Sequence, residues 1–508
     1  MSDPALPFNN AAWAHFLRTP LDQLLSDGEV TATQRLLQLF QRSAQQVPAY
    51  QKLLAQHQVV TDRIDNFEAF RSLPLMTKPG YMQAYPLSER CFGGSLAGAD
   101  RVAVSSGSTG QPTFWPRSAA YELDVAVRFE QVFRDSFSCH KRSTLAVVCF
   151  ALGNWVGGLF TTSCCWHLAQ KGYPLMVATP GNNKAEILRV VRELAPEFEQ
   201  TVLLGYPPFV KDVIDTGIHE GIRWADSQVK LVFAGEVFSE EWRDLLATRT
   251  GSTDPCFDSA SLYGTADGGV LGNETPFSIA IRRWLSHHPD AARELFGESR
   301  LPTLVQFDPA SRYFEVHEST LVVSGDNTVP LLRYHIADKG GIIHFPQMWN
   351  YLNQQGIHTH TQLGLPADFS ARPLPFVFVF GRADFTVSYY GANIYPENVT
   401  VGLEQAEIPN WVTGKFVLET LEAENGDAKL HIAVELLPGV TPPAGLSDLI
   451  AISIRQQLLR LNSEFAHYTP TEKQTPHVSL HAFADAAYFP VGVKHRYSRQ
   501  QTQPQRPK

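Results

Sequence analysis

One segment of the chain combines small and hydroxyl-bearing residues in a way that suits anion binding. After the apolar run RVAV, residues 105–113 read SSGSTGQPT. Small residues let backbone N–H groups approach an anion closely, and the hydroxyl groups add further donors. A flexible surface loop is the alternative on composition alone, and the segment lacks the Gly-Lys-Ser/Thr ending of a Walker loop. The candidate phosphate-binding residues are Ser105, Ser106, Gly107, Ser108, Thr109 and Gly110.

Further along the chain, acidic, aromatic and basic residues recur in short motifs whose side chains could bind a ligand or take part in catalysis. The motifs are Ala234-Gly235-Glu236, Tyr263-Gly264-Thr265-Ala266-Asp267, Tyr334-His335-Ile336-Ala337-Asp338, Gly381-Arg382-Ala383-Asp384 and FPVGVKHRYS, which contains Lys494. Each has a plain structural alternative when it is taken alone. Asp338 could be a turn residue, Arg382 could pair with Asp384, and Lys494 could be a solvated surface lysine.

Taken in this order, the motifs resemble those of the adenylate-forming (AMP-forming) acyl-CoA synthetase superfamily. The details of SSGSTGQPT look most like the phenylacetate-CoA ligase-like family, and the resemblance spans the chain from about residue 35 to residue 496. It implies an acid–thiol ligase that uses ATP and Mg²⁺ to convert a carboxylic acid to acyl-AMP, and then transfers the acyl group to coenzyme A. A carrier-protein thiol, a protein cysteine or an amine stays open as the acceptor, because the fold and the adenylation site do not fix the second nucleophile.

The resemblance also implies a role for each motif. The nucleotide would be bound by the phosphate loop and by Ala234, Gly235, Glu236, Gly264, Thr265 and Arg382. Tyr263 would stack on the adenine, and Asp338 would accept hydrogen bonds from the ribose hydroxyls. Asp267 would coordinate Mg²⁺, Lys494 would serve adenylation, and Asp384 would be the hinge. Adenylation brings an anionic carboxylate up to an anionic nucleotide. A cation is therefore needed to screen the repulsion between them and to stabilise the developing charge.

Four positions depart from the family pattern. Asp267 stands where glutamate is commoner, Ala337 replaces a glycine, Gln111 replaces the usual lysine of the loop, and the terminal motif reads Gly-Val-Lys instead of Gly-Lys. The shorter side chain of Asp267 could contact magnesium through water. These departures support a third hypothesis beside the CoA ligase and the adenylating enzyme with another acceptor, namely a nucleotide-binding protein without catalysis.

The acid itself is expected to bind near residues 150–158, which read FALGNWVGG. Phe150, Asn154 and Trp155 would give a small pocket with one polar contact, suited to an aryl-acetic or benzoic acid or to a short branched or hydroxylated acid. Simple packing of Trp155 against a helix start is the alternative.

These motifs require a scaffold, and the hydrophobic pattern predicts one of the α/β class. Residues 29–57 read as helix interrupted at Pro48, and TLAVVCFA, TVLLGY and VKLVFAGE alternate with helical stretches as parallel strands do. Alternating segments at 302–347 predict an antiparallel β subdomain. We expect a large N-terminal adenylation domain over residues 1–384 and a small mobile α+β domain over residues 385–508.

Composition narrows the function classes. The chain has 508 residues, 42 Lys+Arg and 51 Asp+Glu, for a net charge of −9, which argues against nucleic acid as a partner. The start has no basic n-region, and no apolar stretch approaches a membrane span, so we expect a cytoplasmic protein without a membrane partner. The six cysteines show no CxxC spacing and predict reduced, buried thiols. Relatives are often dimers, so a homodimer is an open expectation.

Overall fold

The computed structural model describes residues 8–25, 29–104, 113–154, 156–298, 301–382, 387–390, 392–405, 407–422, 428–462, 465–466, 469–490 and 497–499. The chain forms two compact units. The first comprises residues 1–236, 247–281 and 302–381, and the second comprises residues 237–246, 282–301 and 382–508. The functional boundary at residue 384 stays a prediction.

Helices dominate the N-terminal part of the first unit. They are α1 (Phe8–Arg18), α2 (Leu21–Leu24), α3 (Glu29–Gln46), α4 (Pro48–Gln56) and α5 (Phe67–Arg71). The predicted break at Pro48 is confirmed, because Pro48 is the first residue of α4, where a missing backbone N–H costs nothing. Phe40 and Tyr50 are buried in one core cluster with Phe70.

A β-hairpin brackets the predicted phosphate loop. Strands β1 (Arg101–Val104) and β2 (Phe114–Arg117) are antiparallel, with Val104 opposite Phe114. Helix α6 (Ala119–Gln131) follows at once. The Ser118 side chain accepts a hydrogen bond from the backbone N–H of Tyr121 and so caps this helix.

The middle of the chain builds the parallel layer. Its elements are β3 (Thr144–Val148), α7 (Val156–Gln170), β4 (Leu175–Ala178), α8 (Lys184–Leu194), β5 (Gln200–Gly205), α9 (Pro207–His219), β6 (Val229–Ala234), α10 (Glu240–Thr250), α11 (Pro255–Asp258) and β7 (Ser259–Thr265). The three predicted strands are all present, and β4, β3, β5, β6 and β7 pair in parallel. Strands β3 and β5 are buried along their whole lengths, as expected for a sheet covered by helices on both faces.

The sheet continues in antiparallel fashion beyond β7. The further elements are β8 (Gly269–Asn273), α12 (Pro276–Ser286), α13 (Pro289–Phe296), β9 (Thr303–Gln306), β10 (Arg312–His317), β11 (Thr320–Gly325), β12 (Leu331–Ile343), α14 (Phe345–Gln354) and β13 (Phe376–Arg382). Together they complete an eleven-stranded sheet in the order β10-β11-β12-β13-β9-β8-β7-β6-β5-β3-β4. The α/β prediction with an antiparallel part over 302–347 is therefore confirmed.

The second unit contains a separate small sheet. Its elements after residue 382 are β14 (Val387–Tyr389), β15 (Ala392–Ile394), α15 (Pro396–Leu403), β16 (Val412–Glu422), β17 (Ala428–Leu436), α16 (Leu446–Leu461), β18 (His477–His481) and β19 (Ser498–Arg499). Four strands pair in the order β18-β17-β16-β19. Alternate residues such as Phe416, Ile432 and Val434 are buried in one core with Ile450 and Ile454 of α16. Strands β16 and β17 and helix α16 give this part of the chain the α+β content that was predicted for it.

Two further expectations concern cysteines and membranes. All six cysteines are buried and have free thiols, as predicted. Within the described residues, the helices are all too short or too polar to cross a bilayer.

Candidate functional site

Several predicted site residues lie at one edge of the large sheet. Strands β3, β5, β6 and β7 are parallel, so their carboxyl ends lie at the same edge. Phe150 follows β3, Gly235 and Glu236 follow β6, and Tyr263 lies near the end of β7. Ligands of open α/β sheets bind outside the carboxyl ends of the strands. The fold therefore gathers motifs that are far apart in sequence.

The turn after β6 depends on a glycine. Gly235 has φ +90°, a conformation that other residues rarely adopt. The following residue, Glu236, accepts a hydrogen bond of 2.5 Å at Oε2 from the Tyr206 hydroxyl, at the end of β5. Tyr206 was not singled out from the sequence, although it ends the predicted strand TVLLGY. The bond links the carboxyl ends of two neighbouring strands.

Two predicted nucleotide-site residues meet in the core of the first unit. The Tyr263 hydroxyl donates a hydrogen bond of 2.7 Å to Asp338 Oδ2, across 75 residues of sequence. Tyr263 is 9% exposed and Asp338 8% exposed. Burial, and then the negative charge of Asp338, raise the pKa of Tyr263 well above its ordinary value. The phenol therefore stays protonated and remains a donor to the carboxylate.

A second tyrosine–aspartate pair lies beside the first. The Tyr334 hydroxyl donates a hydrogen bond of 2.6 Å to Asp267 Oδ2. Tyr334 and Asp338 both belong to β12, whereas Tyr263 belongs to β7 and Asp267 follows it, so the same two segments supply both pairs. Tyr334 belongs to the same sequence motif as Asp338, and no role was predicted for it.

A buried arginine holds the backbone around Asp267. Arg117 is 2% exposed, and its guanidinium donates hydrogen bonds to the carbonyl oxygens of Ala266 and Asp267. Burial lowers the pKa of Arg117, while Tyr121 and then Asp267 oppose that shift. Thr265 accepts a hydrogen bond of 2.9 Å from the backbone N–H of Gly268, which fixes the turn after β7. Arg117 was missed because an arginine at the end of a strand gives no sequence signal of burial.

Asp267 is the predicted Mg²⁺ ligand, so loss of the Tyr334 hydroxyl that donates to it should weaken the use of Mg²⁺. In Tyr334→Phe the Asp267 carboxylate loses a donor worth about 1 kcal/mol, and we expect the Mg²⁺ concentration for half-maximal activity to change about fivefold. Activity titrations with Mg²⁺ at fixed ATP measure this. Tyr50→Phe is the control, because Tyr50 lies in the same core cluster and its buried hydroxyl has no hydrogen-bond partner among the described residues. Equal Mg²⁺ dependence in both variants would show that Tyr334 does not position Asp267.

The residue before Asp338 has a strained backbone. Ala337 has φ +65°, in the left-handed region, which explains why a glycine is usual there. Ala337→Gly should therefore raise the unfolding free energy of the first unit by about 1 kcal/mol. Urea unfolding followed by tryptophan fluorescence measures the change. Ala55→Gly, at an exposed site of α4, should shift stability the opposite way. A loss of stability in Ala337→Gly would refute this assignment of strain.

The predicted acid pocket is described in part. Phe150 is half-buried, and its ring lies against Gly157, where an added Cβ atom would be 3.4 Å from Phe150 Cδ1. Asn154 has an exposed side chain, and its carbonyl oxygen accepts a hydrogen bond of 2.9 Å from the backbone N–H of Val104. The last residue of β1, just before the predicted phosphate loop, thus contacts the Asn154 segment.

Some predicted site residues lie outside the described residues. These are Ser105, Ser106, Gly107, Ser108, Thr109, Gly110, Gln111, Trp155, Asp384 and Lys494. Arg382 ends β13, and its backbone alone is described. Their roles stay predictions.

Comparison with known proteins shows what this architecture is similar to. No protein-family model matches the chain, and no curated protein matches its sequence. Among solved structures, 2-hydroxyisobutyryl-CoA ligase in the postadenylation state with R3-HIB-AMP is 15% identical, with TM-score 0.64, over 98% of this chain and 94% of that chain. The same enzyme with 2-HIB-AMP and CoA in the thioesterification state is 15% identical, with TM-score 0.51 and the same coverage. The chain has the fold of the adenylate-forming enzymes, as predicted.

Proposed function

We propose that this chain, which has the adenylate-forming fold, is an AMP-forming acid–thiol ligase. It would activate a small carboxylic acid with ATP as acyl-AMP and transfer the acyl group to coenzyme A. The observation that carries the proposal is the pairing of Tyr263 with Asp338 and of Tyr334 with Asp267. Two motifs that are far apart in sequence thus meet in two hydrogen-bonded pairs, in a fold shared with an acyl-CoA ligase.

The Tyr263–Asp338 pair provides an acceptor for the nucleotide. An ionised carboxylate has about four lone-pair sites, so Asp338 can accept from Tyr263 and from ribose hydroxyls together. The tyrosine fixes the carboxylate before the nucleotide arrives, which lowers the cost of ordering it on binding. Tyr263 is 9% exposed, so little of the residue is available for a contact with adenine.

The Asp267 carboxylate fits the role of a magnesium ligand. Mg²⁺ in nucleotide sites is commonly bound by one or two carboxylates together with phosphates and water, so a single aspartate is a sufficient protein donor. When bound, the cation would neutralise charge on the phosphates. Tyr334 orients the carboxylate, and Arg117 fixes its backbone. The chain's own contribution is thus a carboxylate held in place from two sides.

The remaining assignments follow the resemblance. Residues 105–110 would bind phosphate, Arg382 would contact the nucleotide, and Lys494 would stabilise charge during adenylation. Asp384 would be the hinge of a mobile C-terminal domain. For the acid, we propose an aryl-acetic or benzoic acid or a short branched or hydroxylated acid, with Phe150, Asn154 and Trp155 lining its pocket. The similar ligase acts on 2-hydroxyisobutyrate, which belongs to the last of these classes.

Product analysis tests the proposal. The protein is incubated with ATP, Mg²⁺ and each acid of a panel covering these classes, with and without CoA, and AMP and acyl-CoA are measured by mass spectrometry. We expect one preferred acid, with AMP and thioester formed in equal amounts. AMP formed equally with and without CoA, and without thioester, would show that water takes the acyl group and that CoA is not the acceptor, which would favour a protein thiol or an amine. ADP as the nucleotide product would refute the proposal.

A further inference from the structure

One face of the second unit's sheet packs on the main core of that unit, and the other carries polar and ionisable side chains beside the buried Val417 and Ala433. Side chains alternate between the two faces of a strand, and alternate residues of β16, β17 and β18 are buried in the core on one face. The intervening residues include Glu419, His431, Ser479 and His481, which we call the Ser479 relay. None of the adenylation chemistry proposed above uses them.

Hydrogen bonds join the Ser479 relay in one continuous chain. His431 Nδ1 lies 2.9 Å from Glu419 Oε1, and His431 Nε2 lies 2.8 Å from Ser479 Oγ. On its other side, Ser479 Oγ lies 2.8 Å from His481 Nε2. A serine bonded to a histidine that a carboxylate orients is the arrangement that activates a nucleophile, and it is recognised by geometry irrespective of fold.

The proton positions follow from the acceptors. The ionised Glu419 carboxylate can only accept, so a neutral His431 carries its proton on Nδ1 and presents the Nε2 lone pair to the Ser479 hydroxyl. Once the Ser479 proton is directed to His431, the N–H of His481 Nε2 donates to Ser479 Oγ. The Tyr488 hydroxyl also donates to Glu419 Oε1, at 3.1 Å, and holds the carboxylate in place.

Burial decreases along the hydrogen-bonded relay from Glu419 to Ser479, so that the nucleophile is the part that a substrate can reach. Glu419 is 8% exposed and His431 5% exposed, so the orienting pair is shielded from water. Ser479 and His481 are half-buried and reachable from solvent. His481 Nδ1 lies 4.0 Å from Asp485 Oδ2.

We propose that Ser479 is a nucleophile for small carboxylic esters, with His431 as general base and Glu419 as its positioning residue. Ser479 Oγ bonds to the ester carbonyl carbon while its proton passes to His431 Nε2. The bond from that carbon to the alcohol oxygen then breaks, and the alcohol takes the proton from His431. Water repeats the sequence on the acyl-serine and releases the acid. His481 Nε2 lies close enough to Ser479 Oγ to donate to the carbonyl oxygen as it gains charge.

Active-serine labelling of the full chain tests this inference independently of ligase activity. A fluorophosphonate probe should modify the wild-type protein at Ser479, as located by peptide mass spectrometry. Hydrolysis of p-nitrophenyl acetate should fall to background in Ser479→Ala and by about 10²- to 10⁴-fold in His431→Gln. Ser498→Ala is the matched control, because Ser498 is half-buried on β19 of the same sheet, and it should behave as wild type.

Thermal melting of each variant separates chemistry from folding. Ser479→Ala and His431→Gln should each retain a cooperative unfolding transition. If either does not, Ser479→Cys takes its place, and the rate at which that cysteine is alkylated should depend on His431. Absence of probe on wild-type Ser479, or equal ester hydrolysis in wild type and Ser479→Ala, would overturn the proposal. Loss of ligase activity in the product analysis would leave these results unaffected.

Discussion

Replacing Lys494 by alanine should lower the rate of acyl-adenylate formation by about 10²- to 10³-fold. Adenylation brings a carboxylate up to the α-phosphate of ATP, and the lysine would supply the positive charge that this approach needs. Thioester formation from supplied acyl-AMP should change little, because the charge repulsion has been overcome in the first step. Single-turnover measurements of the two half-reactions separate these effects.

Lys429→Ala is the control for Lys494→Ala. Lys429 is an exposed lysine on β17 of the second unit, and its loss removes the same charge from the same part of the chain. It should leave both half-reactions at the wild-type rate. If Lys494→Ala also adenylates at that rate, the lysine is assigned wrongly.

Replacing Asp338 by alanine should lower kcat/KM for ATP by about 10²-fold or more. Two hydrogen bonds from ribose to a carboxylate are worth about 1.5–3 kcal/mol each, and each 1.4 kcal/mol is about a factor of ten. The substitution also leaves the buried Tyr263 hydroxyl without the acceptor it has at 2.7 Å, which should cost about 1–3 kcal/mol of stability. Steady-state kinetics and thermal melting measure the two effects.

Deoxynucleotides distinguish a ribose contact from a general loss of stability. Wild-type protein should use 2′-deoxy-ATP and 3′-deoxy-ATP less well than ATP, whereas Asp338→Ala should discriminate much less among the three. Tyr263→Phe keeps the carboxylate and loses only its donor, so it should retain the discrimination. If Asp338→Ala still discriminates as strongly as wild type, Asp338 does not bind the ribose.

The sequence was sufficient to predict most of the scaffold. Strands such as Gln200–Gly205 and Val229–Ala234 are short apolar runs between helices with clear periodicity, and both lie in the parallel layer as predicted. Pro48 marks a helix start by local chemistry. At the start of α10, the backbone N–H of Trp242 donates to Ser239 Oγ at 3.0 Å, which is also local chemistry.

Contacts between distant segments could not be predicted in the same way. Tyr334 and Asp267 are 67 residues apart, and Arg117 reaches carbonyl oxygens about 150 residues away. Neither pairing has a local signal, since register and packing of the folded sheet decide which side chains meet. The sequence showed that Ala337 stands where glycine is usual, but it could not show that Ala337 has a positive φ.

The Ser479 relay shows the same limit more strongly. His431 lies on β17, Ser479 on β18 and Glu419 on β16, and no spacing rule connects them. Strand pairing within one sheet brings the three side chains to neighbouring positions on one face. The sequence predicted an α+β domain here, without indicating that polar residues of three strands would form a chain of hydrogen bonds.

The central claim is that this chain joins a carboxylic acid to AMP, and acid-dependent exchange of labelled pyrophosphate into ATP tests it most directly. The assay needs no CoA, so it is independent of the acceptor. We expect pyrophosphate exchange that requires Mg²⁺ and the preferred acid and that is lost in Lys494→Ala. Absence of exchange with every acid of the panel, in protein that binds ATP, would contradict it.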